Sequence, residues 1–140
     1  MFRNRYRTNH ADPVVLCIDD DPDISEAIAL RLRNYKVEVL RAFHGMHGLY
    51  LAVACQPDLI ITDLNMPQGG GAYLIERLRS DTCTCALPII VLTGQRNPQV
   101  EVTVRRLGAE KVLTKPVHFD ELAAAINRFV PLNVKDFSEE

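Results

Sequence analysis

Five short apolar runs alternate with five stretches of helical period, and this alternation limits the fold more than any other feature of the chain. The runs are residues 14–18, 37–40, 59–61, 89–92 and 112–113. Apolar positions at helical spacing follow each of them. They are Ile24, Ala27, Ile28 and Leu32; Leu49, Ala52 and Val53; Leu74, Ile75 and Leu78; Val100, Val104 and Leu107; and Leu122, Ile126, Phe129 and Val130. Two helices carry start signals, because Asp21-Pro22 and Asn97-Pro98 each set a capping side chain before a proline at the first helical position. Gly108 after Leu107 reads as a helix stop.

Strict alternation implies an α/β fold, a parallel sheet with helices on both faces. The first, third and fourth runs are continuously apolar, as strands covered on both faces must be. The second reads VEVLRA and alternates, while the fifth is short; both suit an edge. The order 2-1-3-4-5 satisfies this assignment, which is the doubly wound, flavodoxin-like (βα)5 arrangement. With 140 residues there is room for this one unit, expected over 13–131. Residues 1–12 read as a flexible basic arm containing Arg3, Arg5, Tyr6 and Arg7. Residues 132–140 read as a frayed, acidic C-terminal tail.

Composition excludes several classes of function. The formal net charge of −2 gives no global affinity for nucleic acid or anionic membranes, and three arginines in the arm are few for a nucleic-acid contact. No apolar run approaches the roughly 18 residues that span a bilayer. The N-terminus lacks the apolar stretch of a secretory signal, so the cytoplasm is the expected compartment. Of the four cysteines, Cys17 and Cys55 fall at apolar positions, where a free thiol acts as a small hydrophobe. Cys83 and Cys85 lack the further ligands of a zinc site, and reduced thiols are the expectation. His44 and His47 have no partner at ligand spacing. The glycine run 69–71 is not in P-loop form and is expected to be a flexible turn.

In open parallel sheets, function gathers at the carboxyl ends of the strands, where the strand order reverses. The first strand ends in Asp19-Asp20, the third in Asp63, the fourth in Thr93 and the fifth in Thr114-Lys115. Each alone has a bland reading: a turn or cap for the aspartates, a loop start for Thr93, a surface charge for Lys115. Together on one rim they supply what phosphoryl transfer to a carboxylate requires. Crowded carboxylates resist ionisation, and a hard divalent cation such as Mg²⁺ relieves the repulsion. One aspartate can then act as nucleophile and form an aspartyl phosphate. The metal, a lysine and a hydroxyl or backbone N–H would then neutralise the three equatorial oxygens.

These residues lie in VVLCIDDDPDI (14–24), PDLIITDLNMP (57–67), LPIIVLTG (87–94) and GAEKVLTKP (108–116). Over roughly 13–131 the chain resembles the receiver domain of bacterial two-component response regulators. The resemblance implies that Asp63 is the phospho-acceptor and that Asp19 and Asp20 are the acidic pair, with Asp20 the more direct Mg²⁺ ligand. It implies further that the Asn65 carbonyl completes the protein's share of the metal shell, and that Thr93 and Lys115 contact the phosphoryl group. Asn65 and Gln95 would govern the hydrolytic water, with Gly94 leaving its path open. The bond between Lys115 and Pro116 is expected to be cis. Val112 departs from the family, many members of which carry there an aromatic that turns inward on activation.

The expected partners are a histidine kinase or histidine phosphotransfer protein as donor and a downstream effector protein. No direct contact with nucleic acid or membrane is expected, and the state is a monomer or a phosphorylation-dependent dimer. Catalysis would be limited to the chain's own phosphorylation and dephosphorylation. Two rivals differ in class. A pseudo-receiver would have lost an acceptor, a metal ligand or the lysine, and none is missing. A Mg²⁺-dependent phosphohydrolase working through an aspartyl phosphate would need a cap domain, and none is inserted.

Overall fold

A computed structural model of the chain describes residues 12–66 and 70–136. Arg3, Arg5, Tyr6 and Arg7 of the basic arm, Gly69 and the acidic residues of 137–140 lie outside the described residues.

Five strands and five helices alternate as β1 Val14–Ile18, α1 Pro22–Leu32, β2 Glu38–Ala42, α2 Gly45–Cys55, β3 Leu59–Asp63, α3 Gly70–Ser80, β4 Ile89–Thr93, α4 Pro98–Leu107, β5 Lys111–Thr114 and α5 Phe119–Asn127. All pairings among these five strands are parallel and the sheet order is β2-β1-β3-β4-β5. The flavodoxin-like fold expected from the alternation is therefore present. The three inner strands are buried at every position, whereas β2 and β5 are mostly half-buried, as edges should be.

The pleat sends successive side chains to opposite faces, and each face meets its own helices. Val15, Cys17, Leu59, Ile61, Ile90 and Leu92 pack with Ile28 and Leu32 of α1 and Leu122 and Ile126 of α5. Leu16, Ile18, Ile60, Ile89 and Val91 pack with Ala52, Leu74, Ile75, Leu78 and Val104 of α2, α3 and α4. The caps work as the sequence suggests: Asp21 accepts from the Asp23 amide, Asn97 accepts from the Gln99 amide, and Gly108 ends α4 with φ +124°.

Three local expectations are corrected. The second strand begins at Glu38 and runs to Ala42, two residues beyond the apolar run, because its register follows β1 from Val14↔Glu38 to Ile18↔Ala42. Residues 132–135 do not fray. Lys36 N donates to Asn133 O at 2.7 Å and Lys135 N to Asn34 O at 2.8 Å, while Leu132 packs on the α1–α5 side of the core. These bonds give partners to backbone groups of the turn after α1 that would otherwise need water. Gly70 and Gly71 are the first two residues of α3 and not a free turn. A Cβ on Gly71 would lie 2.5 Å from Asp63 O and 2.8 Å from Leu64 Cα, so only glycine lets α3 approach the chain leaving β3 this closely.

Candidate phosphoryl-transfer site

The strand register aligns the functional ends. Ile18 pairs with Thr62, Asp63 with Leu92 and Thr93 with Thr114, so the residues that follow β1, β3, β4 and β5 emerge on one rim. Backbone bonds continue the alignment past the strand ends: Asp19 N donates to Ala42 O at 3.0 Å, Leu64 N to Leu92 O at 3.0 Å and Lys115 N to Thr93 O at 2.7 Å.

The side chains converge accordingly. Carboxylate oxygens of Asp19, Asp20 and Asp63 all lie within 4.8 Å of one another. Asp19 and Asp63 are buried at 3% and 5% exposure, while Asp20 is open to solvent. Lys115 Nζ bridges the two buried carboxylates, at 3.0 Å from Asp63 Oδ1 and 3.3 Å from Asp19 Oδ2. Thr93 is buried, and its Oγ1 accepts from the Gln95 amide at 3.1 Å. Gln95 Nε2 in turn reaches Asn65 Oδ1 at 3.5 Å across the mouth of the site. The peptide bond between Lys115 and Pro116 is cis.

Electrostatics favour a cation here. Burial holds the Asp19 carboxyl above its usual range and the Asp63 charge adds to this, against the Asp21 amide and Lys115. Burial pulls the Lys115 ammonium down, but its hydrogen bond to Asp63 and the charges of both aspartates outweigh that, leaving it above its ordinary value. Three carboxylates face one ammonium, and every donor in the cluster is a hard oxygen. This donor set fits Mg²⁺, which prefers oxygen and bridges carboxylates to phosphate.

The family model of the response regulator receiver domain matches residues 15–127. The chain belongs to that family. Among curated proteins, the DNA-binding dual master transcriptional regulator RpaA of Synechocystis sp. is 38% identical over 114 residues, 81% of this chain and 47% of that protein. Protein PilH of Pseudomonas aeruginosa is 33% identical over 113 residues, 81% of this chain and 93% of PilH. Among solved structures, chemotaxis protein CheY4 of Vibrio cholerae superposes with a TM-score of 0.80 at 28% identity, covering 86% of this chain and 100% of that one. The chain thus spans about half the length of RpaA and nearly all of PilH.

Every residue that the sequence placed at this receiver's site lies on the one rim except Val112, which lines a neighbouring cavity of about 140 Å³ with Thr93, Gln95, Pro98, Glu101 and Thr114. All four thiols are free, and Cys83 and Cys85 lie on a turn closed by Cys85 N to Asp81 O at 2.8 Å. His44 caps α2 by accepting the His47 amide on Nδ1. Among the described residues no helix is long and apolar enough to cross a membrane. The sequence reading missed Gly71, whose close packing against Asp63 O ties α3 to the chain carrying the central aspartate. Its only sequence signal was a glycine run that looked like a turn.

Proposed function

We propose that this receiver domain takes a phosphoryl group from a phosphohistidine onto Asp63. The observation that carries this reading is the Lys115 ammonium 3.0 Å from Asp63 Oδ1, inside a cluster of three carboxylates. An Asp63 carboxylate oxygen attacks phosphorus, the phosphorus–nitrogen bond of the donor breaks, and the imidazole leaves and takes up a proton. Asp19, Asp20, Asp63 and the Asn65 carbonyl would hold Mg²⁺, which when bound neutralises phosphoryl oxygens. Lys115 holds another phosphoryl oxygen by exchanging its Asp63 contact for the phosphate, and the Thr93 hydroxyl donates to a third.

Receiver domains of this family work between histidine kinases and downstream effectors. For this chain the donor is a histidine kinase or histidine phosphotransfer protein, and the output is a changed protein-binding surface, read as monomer or phosphorylation-dependent dimer in the cytoplasm. Its catalysis is confined to gaining and losing its own phosphoryl group. The test is incubation with Mg²⁺ and acetyl phosphate followed by intact-mass measurement. An adduct of about 80 Da, sensitive to hydroxylamine and absent from Asp63→Asn, is the expected result. An adduct that persists in Asp63→Asn, or none in the parent, would overturn the assignment.

A further inference from the structure

The carboxylate cluster is supported from the next strand. Arg41, near the end of β2, donates from Nε to Ser25 Oγ at 2.9 Å and from Nη2 to Pro22 O at 2.9 Å. Its guanidinium also lies 5.2 Å from the centre of the Phe43 ring, within cation–π range. Ser25 is fully buried in the first turns of α1, and its hydroxyl also reaches Pro22 O at 3.3 Å. One planar fork therefore grips the start of α1 at a carbonyl and a side chain together.

The neighbouring residue holds the other end of the same connection, because Ala42 O accepts the Asp19 amide at 3.0 Å. Between these two anchors run Asp19, Asp20 and Asp21. Asp19 is further fixed by accepting the Asp21 amide at 2.9 Å and by Lys115. Asp20 has no such restraint, since among the described residues no hydrogen bond holds its exposed carboxylate. The position of that carboxylate depends on the backbone between Ala42 and the Arg41 clamp.

We propose that Arg41 is a positioning residue for the cation site, fixing Asp20 against Asp19 and Asp63 by clamping the first turn of α1 through Pro22 O and Ser25 Oγ. The proposal rests on the cation reading of that cluster and adds a residue that never touches the ion. Its sign is diagnostic. By charge alone a guanidinium on the adjacent strand repels a divalent cation, so its removal would tighten binding. As a clamp, its removal loosens a ligand and weakens binding.

Two substitutions separate the roles. Arg41→Lys keeps the charge and most of the stem, but a point donor cannot span both acceptors in a fixed plane. Arg41→Met removes the charge as well. Calorimetric titration of the full chain with MgCl₂ is expected to show Kd raised in both, by about tenfold, as when a support behind a metal ligand is lost. Hydrogen exchange of the metal-free variants should quicken at residues 20–24 while β1 stays protected. Ser25→Ala, which deletes one acceptor at little cost in volume, is expected to weaken binding less in the same direction. An unchanged or lower Kd in Arg41→Met, or parental affinity in Arg41→Lys, overturns the clamp. Failure of the underlying cation reading would show separately and first, as Mg²⁺ binding in the parent that ignores Asp20→Asn and Asp63→Asn.

Discussion

Gln95 and Asn65, from the loops after β4 and β3, meet across the open side of the site, with Gln95 Nε2 3.5 Å from Asn65 Oδ1. This is the outer limit of a hydrogen bond, so a small shift of either loop opens a gap between two amides. A water in that gap would be held by both and directed at a phosphoryl group on Asp63. Hydrolysis of an acyl phosphate needs such placement. Gln95→Leu is therefore expected to slow decay of the phosphorylated protein, by roughly tenfold, as a positioned polar group is lost. A Cβ on Gly94 would meet nothing within 4 Å, so a bulky residue there should fold normally and slow decay by covering the path of the water. Decay measured by intact mass after donor removal checks both; rates equal to the parent's in both variants would mean that another group places the water.

Metal binding should depend most on Asp20 and Asp63. Removing either carboxylate deletes a hard ligand and a charge that attracts the ion, so Asp20→Asn and Asp63→Asn should each weaken Mg²⁺ on the order of tenfold or more. The chain has no Trp, which makes calorimetry the suitable probe.

Without metal, Asp19 should be a burden on the fold. Burial raises its carboxyl above the usual range. A folded-state value above the unfolded one means the folded chain binds protons more readily, so lowering pH through that window adds stability. Asp19→Asn removes the charge yet keeps the Oδ1 acceptor used by the Asp21 amide. In EDTA near neutral pH its melting temperature should exceed the parent's, and the difference should shrink as pH falls through the titration of Asp19. A variant that melts lower throughout would show that the ionised form is well solvated by its neighbours.

The fold was legible because its signals are local. Apolar runs, the Asp21-Pro22 and Asn97-Pro98 starts and the Gly108 stop each act within a few residues, and their period survives in the string. The rim was legible for the same reason, since each functional residue ends a strand or follows one within two positions. Contacts that close long loops leave no such trace. Arg79 lies on α3 with the spacing of any surface arginine. Its guanidinium nevertheless donates to Gly108 O at 2.6 Å, to Leu87 O at 2.6 Å and to Cys85 O at 2.9 Å, and pairs with Glu110 at 3.0 Å. Glu110 Oε2 then takes the Ile89 amide at 2.6 Å. Arg41 was hidden in the same way, since nothing in VEVLRA indicates that it reaches back to α1.

That clasp gives a stability prediction. Arg79→Ala strips charge-assisted partners from three carbonyls and leaves half-buried Glu110 without its cation. A loss of about 3 kcal/mol in denaturant unfolding is expected, with little change in Mg²⁺ affinity because the clasp sits at the opposite end of the sheet. A loss under about 0.5 kcal/mol would mean that water replaces the arginine there.

The thiols divide by burial. Burial pushes the Cys17 thiol up to about 12 and raises that of Cys55, whereas Cys83 and Cys85 are exposed. The thiolate is the reactive form, so a native chain should be alkylated at Cys83 and Cys85 and at the other two only on unfolding. From an ordinary value of 9.0 upward, the unfolded chain releases the Cys17 proton while the folded chain keeps it. Stability should then fall as pH rises above about 9, by at most roughly 1.4 kcal/mol per pH unit from this group. Cys17→Ala should lack that slope, and parallel stability curves for the two proteins would refute it.

Output is the last consequence, and it turns on Val112. Where many relatives place an aromatic ring that can fill space vacated by the threonine, this chain has a half-buried valine beside a cavity of about 140 Å³. Valine is stiff at its first torsion, short, and without a polar tip to exchange between solvent and interior. It cannot take up a movement of Thr93. Thr93 itself gains a charge-assisted hydrogen bond once a phosphate is present, so it still has reason to move. Its hydroxyl now accepts the Gln95 amide, and that bond must break or follow. The shift should therefore pass into the backbone of 93–98 and the start of α4, a run exposed from Gly94 to Pro98. Segments with few buried contacts open most readily. Hydrogen exchange with and without beryllofluoride is expected to show altered protection over 93–100. Changes clustered instead at 111–114 and α5, with 93–100 the same, would mean that Val112 transmits after all. Changes confined to 63–71 would move the transmitting role to the start of α3, where Gly71 already packs on the backbone of Asp63.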